Sequence, residues 1–144
     1  MRLPTPLHEA VIPLASQALY AEMDGKHKTA GRSVQAISDR HGGEGLTIAI
    51  LAWCDTLTHY KLGRFVADDP VAIAWQEQKT GRIETADEVP VEARWAGRVI
   101  AARAADDRPG FDALISALPH DAAAVGAHVA ALLSMVALNV RAVR

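Results

Sequence analysis

The chain has 144 residues, is half hydrophobic and carries a formal net charge of −2, which allows one good core but not two comfortable domains. Lysines, arginines and acids are spread through both halves, arguing against general electrostatic binding to nucleic acid or to an anionic membrane. The one cysteine excludes an intrachain disulfide and any multi-cysteine zinc site, and it points to a reducing compartment. The expectation is a single helical domain over residues 1–144, in the cytoplasm. His8, Glu9 and Pro13 interrupt any apolar run behind Arg2, so no signal peptide is expected.

Thr5-Pro6 is a helix-start signal, a hydroxyl cap followed by proline at the first helical position. Leu7, Val11, Leu14 and Ala18 continue at helical spacing to about Asp24-Gly25. Pro13 lies inside that pattern and predicts a kink or a restart. Lys26, His27, Lys28 and Arg32 form a small basic cluster. It could hold an anion at the next helix start, or be a solvated turn. A second helix is predicted over Thr29–Arg40, with Ala30, Val34 and Ile37 inward. Gly31-Arg32-Ser33 echoes the end of a phosphate-binding loop, but Lys26 stands where that loop needs glycine.

Gly42, Gly43 and Gly45 should stop that helix. The stretch after them organises the rest. Leu46, Ile50, Trp53, Leu57 and Tyr60 recur at helical steps, and Ile48, Ala49, Leu51, Ala52 and Cys54 fill most other faces of the first half. A helix apolar nearly all round is surrounded by other elements. Its second half turns polar through Asp55, Thr56, Thr58, His59 and Lys61, and should emerge at the surface.

From Val71 the period changes to two: Val71, Ile73 and Trp75 alternate with Ala72, Ala74 and Gln76. Lys79-Thr80-Gly81-Arg82 reads as a turn, so a short β-hairpin is expected near residues 71–85. A helix capped by Asp69 with Pro70 at its first position is the rival. Another helix follows over Val91–Ala105, with Val91, Trp95, Val99 and Ala102 inward and Arg94 and Arg98 together on its flank. Asp106-Asp107-Arg108-Pro109-Gly110 breaks it. Phe111, Leu114, Ile115 and Leu118 give a short helix closed by Pro119, and Asp121 caps a last helix to about Arg141. From Ala122 to Val140 that helix holds no Asp, Glu, Lys or Arg, and its length approaches a membrane span. Its many Ala and Gly gain little from lipid, and His128, Ser134 and Asn139 oppose insertion; a buried bundle helix is the favoured reading. The fold class is therefore mainly α: five or six helices around Gly45–Tyr60 and Asp121–Val140.

Asp87-Glu88-Val89-Pro90, Arg94-Trp95-Ala96-Gly97-Arg98, Ile100-Ala101-Ala102-Arg103-Ala104-Ala105 and Phe111-Asp112-Ala113-Leu114 resemble segments of small actinobacterial proteins with no assigned function. The resemblance covers about the last third of the chain. It implies an actinobacterial or phage-related origin and carries no activity or site.

Candidate chemistry is sparse. Asp55 and His59 are four apart on one helix face, a spacing that can orient an imidazole or hold a metal. His41 and Glu44 lie about three turns away, so a metal shell would need His8, His27, His120 or His128, and no spacing rule links these. No metal or cofactor is expected. His41-Gly42-Gly43 echoes an esterase oxyanion loop, but no G-x-S-x-G elbow accompanies it. Cys54 lies beside the apolar face and reads as a small buried hydrophobe. A helix-turn-helix drawn from Gly31–Arg40 and Glu44–Gly63 would present Leu, Ile, Ala and Trp where a recognition helix needs polar and basic side chains. The arginines Arg94, Arg98 and Arg103, or the Lys26–Arg32 cluster, could touch phosphates, which keeps a DNA-associated regulator as an alternative. Trp and Arg are over-represented among interface hot spots, so Arg94, Trp95, Arg98 and Trp75 are the candidate contact residues for a protein partner or a second copy of the chain. The reading that follows is a non-catalytic protein acting through protein contacts, with a small metal or ligand binder as a further alternative.

Overall fold

The computed structural model describes residues 6–61 and 90–143. Its helices there are α1 (Pro6–Met23), α2 (His27–Lys61), α3 (Val91–Ala104), α4 (Arg108–Ser116) and α5 (Ala122–Val143). The protein is mainly α, a helical bundle. No strand occurs among the described residues; the hairpin expected at 71–85 lies outside them, as does Trp75.

Pro6 opens α1 as expected. The helix runs on through Pro13 without interruption. Proline removes one helical N–H, and here Pro13 and the Glu9 left without that donor both face solvent. Val11, Ala15, Ala18 and Leu19 face the core. Gly25, at φ 79°, ends the helix: its N–H donates to the Glu22 carbonyl (3.1 Å) and that of Lys26 to the Ala21 carbonyl (2.8 Å), the paired bonds of a Schellman cap.

The glycine stop in α2 is a single residue wide. Gly42 takes φ 63°, ψ −155°, a conformation open essentially to glycine alone, and helix resumes at once. The segments expected as Thr29–Arg40 and Gly45–Tyr60 are thus two halves of one element broken at Gly42, with no loop between them. Gly45 makes the join compact. A Cβ there would stand 2.5 Å from His41 Cβ, 3.2 Å from Ile37 Cγ2 and 3.5 Å from Val11 Cγ2. Past the join Trp53 is buried, and its indole Nε1 donates to the Ala15 carbonyl at 2.9 Å. With Gly45 beside Val11 and Trp53 at Ala15, this half advances along α1. Ala49, Ile50, Cys54 and Leu57 are also buried, while Asp55, His59 and Tyr60 surface, so the expected inside-to-outside change holds.

Trp95, Val99 and Ala102 face inward on α3, but Val91, expected inward, is 58% exposed, while its neighbour Ala93 packs against the core instead. A second Schellman cap ends α3: Asp106 N–H donates to the Arg103 carbonyl (3.1 Å) and Asp107 N–H to the Ala102 carbonyl (2.8 Å). Asp106 takes the left-handed position at φ 54°, where glycine is usual and Asp is tolerated. Asp107 then caps α4 by accepting from Gly110 N–H at 3.0 Å. Asp121 caps α5, accepting from Ala124 N–H at 3.1 Å.

The last helix packs against α1, α2 and α3. By length and composition it could cross a membrane: the window Ala122–Arg141 has mean hydropathy 1.8, and half of it is buried in the bundle. Its buried polar groups are satisfied within the helix, His128 Nδ1 at 2.7 Å from the Ala124 carbonyl and Asn139 Nδ2 donating to the Met135 carbonyl at 2.8 Å. Arg141 Nη1 reaches across to the Met23 carbonyl at 2.8 Å, tying the ends of α5 and α1.

Candidate functional site

Asp55 and His59 share a helix face without pairing. The Asp55 carboxylate accepts from Arg103 Nε at 2.8 Å and from Arg103 Nη2 at 3.1 Å. This two-pronged fit is one that a guanidinium makes and an imidazole cannot. His59 instead meets Tyr60 edge to face, with ring centroids 5.6 Å apart. The hydrogen bond to Asp55 raises the Arg103 pKa, against the opposing effect of partial burial. Cys54 is buried. Burial, helped by the Asp55 charge and opposed by that of Arg103, pushes its thiol up to about 12. It is a thiol at neutral pH and no nucleophile.

Trp95, singled out as a partner anchor, is an internal anchor. It is 7% exposed, its Nε1 donates to the Leu114 carbonyl at 2.9 Å, and its ring meets His128 edge to face at 5.5 Å. One side chain therefore joins α3, α4 and α5: burial of the large apolar ring draws it inward, and the Leu114 carbonyl replaces the water its N–H gives up. Arg98 is exposed and Arg94 half-buried. With Arg103 committed to Asp55, the three arginines of α3 present no common basic stripe. Among the described residues no three His, Cys, Asp or Glu side chains come close enough to hold a metal.

Among the described residues, two concave surfaces lie on opposite sides of α5. The first is a furrow of about 780 Å³ between the start of α2, the start of α3 and the outer side of α5. Ala30, Val34, Ala93, Ala127 and Ala130 are typical of its lining. It continues toward Arg141 as a smaller hollow of about 160 Å³ past Leu138, which is 38% exposed. Glu22 and His27 border both parts. Their side chains pair at 2.9 Å, with the carboxylate only 13% exposed.

The second surface is a cleft of about 820 Å³ where the start of α1, the middle of α2, the region around α4 and the start of α5 converge. Leu7, Leu46, Ile115, Leu118 and Val125 line it over the fully buried Ile50 and Val129. A polar annex of about 310 Å³ adjoins it. His8, Thr47 and Arg108 line both compartments. Phe111 lies in the annex, with Asp106, Asp107 and Asp112 around it.

Sequence reasoning passed over this cleft. Its residues come from four helices at no fixed spacing, and Asp106 to Gly110 read only as a helix breaker. The one local signal was the number of charges packed into Asp106-Asp107-Arg108 and Asp112.

No protein-family model, no curated protein and no solved structure matches the chain.

Proposed function

We propose that this is a non-catalytic cytoplasmic protein that works by contact with another protein, a second copy of itself included, through the outer side of α5. A single observation carries the reading. The helix holds no charged residue from Ala122 to Val140, yet Ala123, Gly126, Ala127, Ala130 and Leu138 stand open to solvent. An uncharged helix side beside an apolar furrow is the kind of surface a partner covers. Its shape, small side chains along a trough bounded by two helices, suits an amphipathic helix laid into a groove. The buried Cys54 fits a reducing compartment. The actinobacterial or phage-related origin rests on the resemblance within residues 87–114 alone. The DNA-associated alternative loses Arg103, whose guanidinium Asp55 holds, and would rest on Arg98 and the exposed Lys26–Arg32 cluster.

Native mass spectrometry of the purified protein, with the Ala130→Glu variant beside it, tests self-contact. A wild-type dimer reduced to monomer by the variant supports it. A photo-crosslinking residue at Ala127, activated in the producing cell, tests for a different partner. Monomeric wild type together with no protein adduct at Ala127 ends the reading.

A further inference from the structure

The cleft on the far side of α5 from the furrow is a separate site, and its argument does not depend on the proposed protein contact. Val125 and Val129 line it, whereas Gly126, Ala127 and Ala130 line the furrow. We propose that this cleft binds a lipophilic cation, a single positive head carried on an aliphatic tail.

The tail follows from the larger compartment. At about 820 Å³ it falls in the range of pockets that enclose small ligands. Its floor, Ile50 and Val129, is 1% exposed at both residues. The floor therefore belongs to the packed core and does not have to form on binding. The walls Leu7, Leu46, Ile115, Leu118 and Val125 are half-buried, so an aliphatic chain would remove from water both its own surface and theirs.

The head follows from the annex. Two guanidiniums and three carboxylates line it: Arg103 and Arg108 against Asp106, Asp107 and Asp112. Arg103 is already neutralised by Asp55, which holds it with two hydrogen bonds. Arg108 lies 3.7 Å from Asp112, with its side chain 82% exposed, a loose surface pair that costs little to rearrange. Asp107 has one carboxylate oxygen on Gly110 N–H. Arg108 offsets one of the three carboxylates, so the remaining imbalance is negative and is shared among Asp106, Asp107 and Asp112. Phe111, 5% exposed, closes the back of this compartment as part of the packed core. A carboxylate or phosphate head would meet the surplus acids. A neutral head would bind through the tail alone.

Isothermal titration with dodecyltrimethylammonium, kept below its micelle threshold, tests the site. Dodecanoate supplies the opposite head, and tetramethylammonium supplies the head without the tail. The expected result is saturable binding of the first at one site per chain, at least about tenfold tighter than either control, a difference of about 1.4 kcal/mol. The double variant Asp106→Asn, Asp112→Asn removes two negative charges without a change of shape, and Asn accepts the left-handed backbone at position 106. It should weaken dodecyltrimethylammonium about tenfold or more and narrow its advantage over dodecanoate. Gly43→Leu places bulk where an added Cβ meets nothing within 4 Å, at the edge of the large compartment. It should weaken the alkyl ligand while circular dichroism stays that of the wild type. The proposal is overturned if dodecanoate binds as tightly as the cation, if the double variant binds like the wild type, or if Ala130→Glu in the opposite furrow abolishes the titration.

Discussion

Burial pushes the Cys54 thiol from 9.0 to about 12, which links stability to alkaline pH. The folded chain favours the protonated thiol, so this contribution is complete below pH 9 and is lost as pH rises toward 12. The loss runs at about 1.4 kcal/mol per pH unit. Cys54→Ala should lower stability overall through lost packing, yet its urea midpoint should fall less steeply above pH 9 than that of the wild type. Parallel curves for the two proteins would contradict the burial argument. Two of the long-range side-chain anchors, Trp95 on Leu114 and Arg103 on Asp55, should differ sharply in weight. Trp95→Phe strands the Leu114 carbonyl and should cost about 1–3 kcal/mol, whereas Asp55→Asn loosens a pair whose side chains are 35% and 55% exposed and should cost less than about 1 kcal/mol. Denaturant titration of both variants checks the order; equal losses would mean that the Asp55–Arg103 pair is stronger than its exposure allows. Neither partner was legible in the sequence. Helical spacing put His59 beside Asp55, but the guanidinium that binds it lies 48 residues away, and Trp95 finds its acceptor 19 residues on.

Element boundaries were more legible, because caps are local chemistry. Pro6, Gly25, the Asp107–Gly110 turn and Asp121 each act within a few residues of themselves, and the helices begin and end beside them. What local signals could not supply was the width of the break at Gly42: three glycines in four positions suggest a loop, but only one of them leaves the helical conformation. The contrast between glycines is measurable. Gly42→Ala forces a side chain into φ 63°, ψ −155° and should destabilise by about 1–3 kcal/mol. Gly31→Ala, in an exposed helical position where a Cβ meets nothing within 4 Å, should stabilise by about 0.5–1 kcal/mol. Thermal melts of the two variants moving in the same direction would show that Gly42 is not held in its unusual conformation in solution. Val91 differs from expectation for a related reason: periodicity groups residues on a helix side but does not say which of them the neighbouring helices cover, and here Ala93 is packed while Val91 is exposed.

At the scale of the whole molecule, the sequence foretold a mainly helical chain and the central place of the Trp53 helix. Which surfaces would be left concave could not be read from it, since furrow and cleft are gaps between elements and depend on how helices distant in sequence cross. The bond from Arg141 to the Met23 carbonyl spans 118 residues, and this has a consequence for the chain as it is made. α1 and α2 can pair early, with Trp53 on Ala15, as soon as both have left the ribosome. The helix that completes their core, α5, follows them in the chain by some sixty residues and more, and half of its apolar window is needed inside. Until α5 has left the ribosome, the nascent chain carries an open apolar trough, and any message cut short before residue 122 leaves that trough exposed for good. Such fragments are substrates for chaperones and proteases rather than partly working proteins, so the stretch from α1 to α5 behaves as one unit of quality control.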